Sequence, residues 1–176
     1  MNILDEIRNS KKNSKQLLFE ISEAIKRDKK LLFQIKEALK AGSKVEKGVL
    51  MESLEYISKD DPGIAEDMID TVIEFLDYQD SPRVRWEAAR VIANVSQRYP
   101  ERAAKAVDKL MLNTKDKGTV VRWSAALALG EIAKYNLNIR ASLILKIGVI
   151  LKREKNNGVK NVYLKALKAI NKQCLV

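Results

Sequence analysis

The chain has 176 residues, 46% of them hydrophobic and 32% charged, which is enough to bury a core without a disulfide or metal staple. It contains no histidine and a single cysteine, Cys174, and its 33 Lys and Arg outnumber its 23 Asp and Glu for a net charge of +10. That composition excludes Ser-His and Cys-His catalysis, most zinc sites and an internal disulfide, and it fits a reducing cytoplasm.

The first 27 residues read as one or two capping helices, "NILDEIRN" and "KQLLFEISEAIKR". From there the chain repeats itself. The segments "VEKGVLMESLEYI", "VRWEAARVIANV", "VRWSAALALGEI" and "VKNVYLKALKAI" align so that Leu50, Ala88, Ala125 and Tyr163 are equivalent. Leu54, Ile92, Leu129 and Leu167 follow in the same steps, as do Ile57, Val95, Ile132 and Ile170. Apolar residues spaced this way line one face of an α-helix.

A second helix is expected before each of these. Pro62 and Pro100 each open a helical pattern, where proline is tolerated in the first turn. Met68, Ile69, Val72 and Ile73 follow the first, and Ala106, Val107, Leu110 and Met111 the second, with Ile144, Leu145 and Val149 continuing the series. The turns are polar, and no alternating strand pattern occurs. The reading is a single all-α domain over residues 1–176: a cap over 1–27, then helical hairpins over 28–61, 62–99, 100–135 and 136–176. No membrane segment is expected, because the longest apolar run, residues 141–151, is interrupted by Lys146 and too short to span a bilayer.

Charge is unevenly spread. Residues 45–77 carry a net −8, whereas the segment from Tyr78 onward carries +13. Both tryptophans lie in matching stretches, "SPRVRWEAAR" and "GTVVRWSAAL". With about 100° of turn per residue, Trp86 falls about 200° from Val84, opposite the stripe of Ala88, Val91, Ile92 and Val95. Trp123 repeats that geometry from Val121. Each indole either packs sideways on a neighbouring second helix or lies open on a groove floor. Arg90 and Lys134 share that side, and the equivalent positions of the last repeat are Asn161, Lys165, Lys168 and Lys172. Together these residues form the candidate binding groove.

Each pair resembles a HEAT repeat, on the strength of Asp80 with "VRWEAA" and Asp116 with "VRWSAA". In the last pair Glu154 and Lys160 stand where Asp and Arg would be. The resemblance covers residues 28–176. It implies a right-handed α-α superhelix, with the second helices on the concave side. It also implies that Asp80, Arg85, Asp116 and Arg122 form a structural ladder between adjacent turns, which suits cations placed at helix N-termini.

Weaker is the resemblance to HEAT-like DNA alkylation-repair glycosylases, carried by Trp86 and Trp123 with Arg90 and Lys134. It stops where chemistry would sit: Glu87 and Glu131 point off the Trp stripe. No phosphate-binding glycine loop occurs. Asp60-Asp61 and Glu66-Asp67 flank Pro62, where helix capping accounts for them. No catalytic residue, cofactor or metal is expected. The expected function is a non-enzymatic scaffold binding a protein or peptide through a Trp and basic groove, with nucleic-acid binding by the same groove as the alternative.

Overall fold

A computed structural model of the chain describes residues 2–173; Cys174 lies outside them. Among the described residues every regular element is helical. Two helices, α1 (Ile3–Asn9) and α2 (Ser14–Arg27), form the cap, each opened by an asparagine whose side chain accepts backbone N–H groups of the first turn. Four helical layers follow. The first pairs α3 (Leu31–Ala41) with α4 (Lys44–Asp60), and α4 begins in a capping box made by Ser43 and Glu46.

The next two layers have irregular outer helices. Pro62–Met68 is a 3₁₀ helix that leads into α5 (Ile69–Glu74) and a second short 3₁₀ turn, Phe75–Asp77, before α6 (Pro82–Val95). In the third layer the outer helix is broken at Lys105 and Ala106 into α7 (Pro100–Ala104) and α8 (Val107–Asn113), followed by α9 (Thr119–Tyr135). The last layer pairs α10 (Arg140–Arg153) with α11 (Asn157–Gln173).

The inner helices α4, α6, α9 and α11 pack side by side in chain order. The outer helices meet one another mainly through short segments, so adjacent layers are joined chiefly by their second helices. Leu50, Leu54 and Ile57 of α4 are buried, as are Ala88, Ile92 and Val95 of α6 and Ala125, Leu129 and Ile132 of α9. Tyr163 and Ile170 continue the stripe on α11, with Leu167 partly buried.

One expected core stripe is displaced. Leu145 and Val149 are 74% and 63% exposed, and α10 buries Leu143, Ile147 and Ile150 instead. The helix is apolar on more than one side, so periodicity alone did not fix which side faces its partner.

Small residues let the inner helices approach. A Cβ on Gly130 of α9 would lie 2.7 Å from the Cβ of Ala166 on α11. Asparagines staple successive layers, Asn113 and Asn136 buried and Asn94 half-buried. The Asn94 side chain donates to the Glu55 carbonyl and Ser58 Oγ, Asn113 to the Leu76 carbonyl at 2.8 Å, and Asn136 to the Pro100 carbonyl at 3.1 Å. Each satisfies a backbone acceptor one repeat back.

Candidate functional site

The two tryptophans occupy equivalent positions but different surroundings. Trp86 is half-buried, and its Nε1 donates to Glu87 Oε1 at 2.7 Å. Arg90 donates to the other oxygen of Glu87 at 3.0 Å and reaches across to Glu55 Oε1 on α4 at 2.8 Å. Arg83 pairs with Glu52 beside them. Glu87 therefore does not stand apart from Trp86 as helical geometry alone suggested. Its two methylenes and the width of the indole span the angle between neighbouring positions.

Burial pushes the Glu87 carboxyl above its ordinary value, against the opposing effects of the Trp86 N–H and the Arg90 guanidinium. Both its oxygens are engaged, and the residue is only 4% exposed. Arg90 was expected to add positive charge to the groove. It is neutralised in place by two carboxylates and links α4 to α6.

Thirty-seven residues on, Ser124 stands where Glu87 does and Leu127 where Arg90 does. Among the described residues no carboxylate clasps the second indole, and Trp123 is 38% exposed. It opens onto a cleft of about 320 Å³ between α9 and α11, lined also by Leu127, Glu131, Lys134, Val162, Lys165, Ala166 and Ala169. Lys134 is held by both oxygens of Glu131, at 2.8 and 3.0 Å, and its ammonium lies 5.2 Å from the centre of the Tyr135 ring. It too contributes little unbalanced charge.

Beyond the cleft the balance changes. Asn161, Lys165, Lys168 and Lys172 are exposed on α11, and among the described residues none of these lysines has a carboxylate within 4 Å. The structure thus gathers Trp123, Lys134 and Lys165 around one cleft. It sets Trp86 and Arg90 in a separate polar clasp, and runs Lys168 and Lys172 along the far helix.

The ladder joins repeats at the turn edge. Arg85 pairs with Asp116 of the next layer at 3.1 Å, and Arg122 donates to both oxygens of Glu154 at 2.9 and 3.3 Å. Burial raises the Glu154 carboxyl, but Arg122 and the backbone N–H groups of Asn156 and Lys155 outweigh it and hold it below its ordinary value. Asp80 is not part of the series: it is exposed, with no ion pair among the described residues. The position that would reach it is Lys47. Its ammonium instead donates to the Lys40 carbonyl and lies over the rings of Tyr78 and Phe75, 5.0 and 5.7 Å from their centres.

The sequence reading missed Glu55 and Glu87 as partners of Arg90, and the asparagine staples. A usable signal existed: acidic residues one repeat before, and three residues before, a basic inner-face position.

The family model for HEAT repeats matches residues 35–147. The chain belongs to the HEAT-repeat family. No curated protein matches it. Among solved structures, this HEAT-repeat chain is similar to two engineered proteins and to a designed armadillo repeat protein in complex with the peptide (KR)4. The first engineered protein is 19% identical with a TM-score of 0.65, over 78% of this chain and 37% of that one. The second is 20% identical with a TM-score of 0.71, over 86% and 67%. The armadillo protein is 19% identical with a TM-score of 0.60, over 97% and 89%. These likenesses show a helical repeat solenoid. The HEAT-repeat chain spans little more than a third of the first structure's length.

Among the described residues no group of three or more Cys, Asp or Glu is placed to hold a metal ion, and no helix is long and apolar enough to cross a membrane.

Proposed function

We propose that the chain is a non-enzymatic scaffold of the cytoplasm that holds a protein or peptide partner against the inner face of its second helices. The observation that carries this reading is the open Trp123 cleft between α9 and α11, an exposed aromatic over an apolar floor with lysines at its rim. Aromatic anchors of this kind dominate the energetics of protein contacts. The armadillo neighbour with its bound peptide supports a peptide partner for this fold.

The test is a photo-crosslinking residue placed at Leu127, compared with one at Leu145 on the outer layer, in lysate with and without nuclease. Protein adducts specific to Leu127 that survive nuclease are expected. Equal labelling from both positions removes the inner face as the site.

Nucleic-acid binding is the second reading, favoured by Lys165, Lys168 and Lys172, which have no carboxylate partner among the described residues. It ranks lower because Arg90 and Lys134 are already paired with carboxylates. Three lysines on duplex phosphates would give a log–log salt slope of about −2.7. Nuclease-sensitive adducts at Leu127 with that slope would reverse the ranking.

A further inference from the structure

The inner face is divided electrically, and the division points to one class of partner. On α4 and α6 each inner carboxylate is met by an arginine: Glu52 by Arg83, and Glu55 and Glu87 by Arg90. A basic peptide arriving there would have to displace arginines already in place. On α11 the situation is reversed, because Lys165, Lys168 and Lys172 have no carboxylate within 4 Å among the described residues. The apolar cleft lies between these two regions, with Lys165 on its rim.

We infer that the α9–α11 cleft takes a bulky apolar side chain of an acidic peptide, whose carboxylates then lie along α11 over Lys165, Lys168 and Lys172. This rests on the peptide-scaffold reading and narrows it to a partner chemistry.

Size and spacing agree with that occupant. About 320 Å³ lies at the small end of ligand sites and suits one side chain better than a whole cofactor. Trp123, Leu127, Val162, Ala166 and Ala169 offer that side chain apolar walls, and the indole N–H of Trp123, which donates to no partner among the described residues, leaves a donor for the peptide backbone. The helical rise of about 1.5 Å per residue separates Lys165 from Lys172 by about 10 Å along the axis. An extended peptide covers that distance in about three residues. Carboxylates on alternate residues fall about 6.6 Å apart, against about 4.5 and 6 Å between successive lysines, a difference that the flexible Glu and Lys side chains take up. At the α4–α6 end three carboxylates face two arginines, which leaves no cation free for further carboxylates, so the charge pattern also sets the direction.

The experiment uses the whole chain and three fluorescein-labelled peptides of equal length, read by anisotropy. The first has Glu on alternate residues beside a Leu-Phe pair. The second replaces Leu-Phe by Ala-Ala, and the third replaces each Glu by Lys. The first is expected to bind, and the other two to bind at least about tenfold more weakly. Trp123→Ala and the exposed double change Lys165→Glu/Lys168→Glu should each weaken the first peptide by about tenfold or more. Leu145→Ala, on the outer layer, should leave it unchanged. Circular dichroism melts confirm that each variant folds.

Failure of the first peptide to bind, or indifference to both inner-face variants, overturns the inference. Tighter binding of the Lys peptide that is lost in Trp123→Ala also overturns it, while leaving the inner-face scaffold intact. Binding of none of the three, together with no specific crosslink at Leu127, removes both.

Discussion

Arg85 reaches forward one repeat to Asp116, and Arg122 makes the same reach to Glu154. Both pairs are mostly shielded, with side chains 12% and 14% exposed in the first and 18% and 5% in the second. Each pair closes the turn edge of the stack, beside polar links such as Asn113 to the Leu76 carbonyl and Arg153 to Thr114 Oγ1 that join the same layers. Asp116 does more, since its Oδ1 also accepts the Gly118 N–H at 2.7 Å where α9 begins.

Asp116→Ala should therefore cost about 2–3 kcal/mol, because it strands a shielded guanidinium and frees a turn. Asp80→Ala, at the matching position one repeat earlier, should stay within about 0.5 kcal/mol, because Asp80 is exposed and has no ion pair among the described residues. Urea unfolding of both variants decides this. Equal losses would mean that the ladder does not distinguish the two aspartates.

Gly130→Ala separates packing from propensity. Alanine gains about 1 kcal/mol of helix propensity over glycine. Against this, the new methyl would meet the Ala166 Cβ at 2.7 Å, and neither atom can swing away without moving a helix. Overpacking of this kind costs about 1–3 kcal/mol. A net loss in stability is expected, and a thermal melt measures it. Ala166→Gly in the same chain should recover part of that loss, which a defect confined to α9 would not allow.

Tyr163 is fully buried and its hydroxyl has no hydrogen-bond partner among the described residues; burial holds the group far above the ordinary phenol range. Ser124 Oγ is likewise buried without a partner. An unsatisfied buried hydroxyl costs about 1–3 kcal/mol. Tyr163→Phe and Ser124→Ala should each leave the protein as stable or more so, by up to about 1–2 kcal/mol in urea midpoint experiments, once slight local relaxation is allowed for. Destabilisation by Tyr163→Phe would mean that the hydroxyl has a partner in solution.

Much of the stack was legible before the structure because period and burial are properties of one helix at a time. The equivalences Leu50, Ala88, Ala125 and Tyr163 needed only spacing, and all four are buried. Contacts between helices were less legible. Arg90 reads as a free cation on its own helix, and only the position of α4 brings Glu55 to it. The ladder was visible as Asp and Arg at fixed offsets, yet which Asp meets which Arg depended on the direction of the repeat. Asp80 was lost because Lys47, rather than arginine, precedes it by one layer and rests on Phe75 and Tyr78. Leu145 and Val149 were misplaced because a broadly apolar helix does not announce its inner side.

Acid should act on this protein in two opposite ways. Glu46 accepts from Arg8 Nε and from the Ser43 backbone, which hold its carboxyl down to about 2 from an ordinary 4.5. Glu154 is shifted the same way. Their contributions are complete above pH 4.5 and are lost as pH falls from there through their folded values. Glu87 is shifted upward from 4.5, so it weakens the fold when ionised, and that cost is relieved as pH falls toward 4.5. Stability should rise slightly on approach to pH 4.5 from above and fall below it. Glu154→Gln should flatten only the lower limb and Glu87→Gln only the upper one. Urea midpoints at several pH values test this, and a Glu87→Gln profile unchanged above pH 4.5 would contradict the assignment.

The two indoles should differ in both fluorescence and stability. Trp123 is 38% exposed over the cleft, whereas Trp86 is half-buried with its N–H on Glu87. In Trp86→Phe, the remaining Trp123 should be quenched readily by acrylamide; in Trp123→Phe, the remaining Trp86 should be quenched less. Stability should order the other way. Losing the Trp86 N–H leaves a buried carboxylate oxygen without its donor, at about 1–3 kcal/mol. Trp123→Phe removes no hydrogen bond and should stay within about 1 kcal/mol. The two measurements are independent, since quenching reports access to the ring and unfolding reports what its N–H holds. Equal quenching with equal stability loss would place both rings between repeats as packing residues, and would close the cleft on which the peptide site depends.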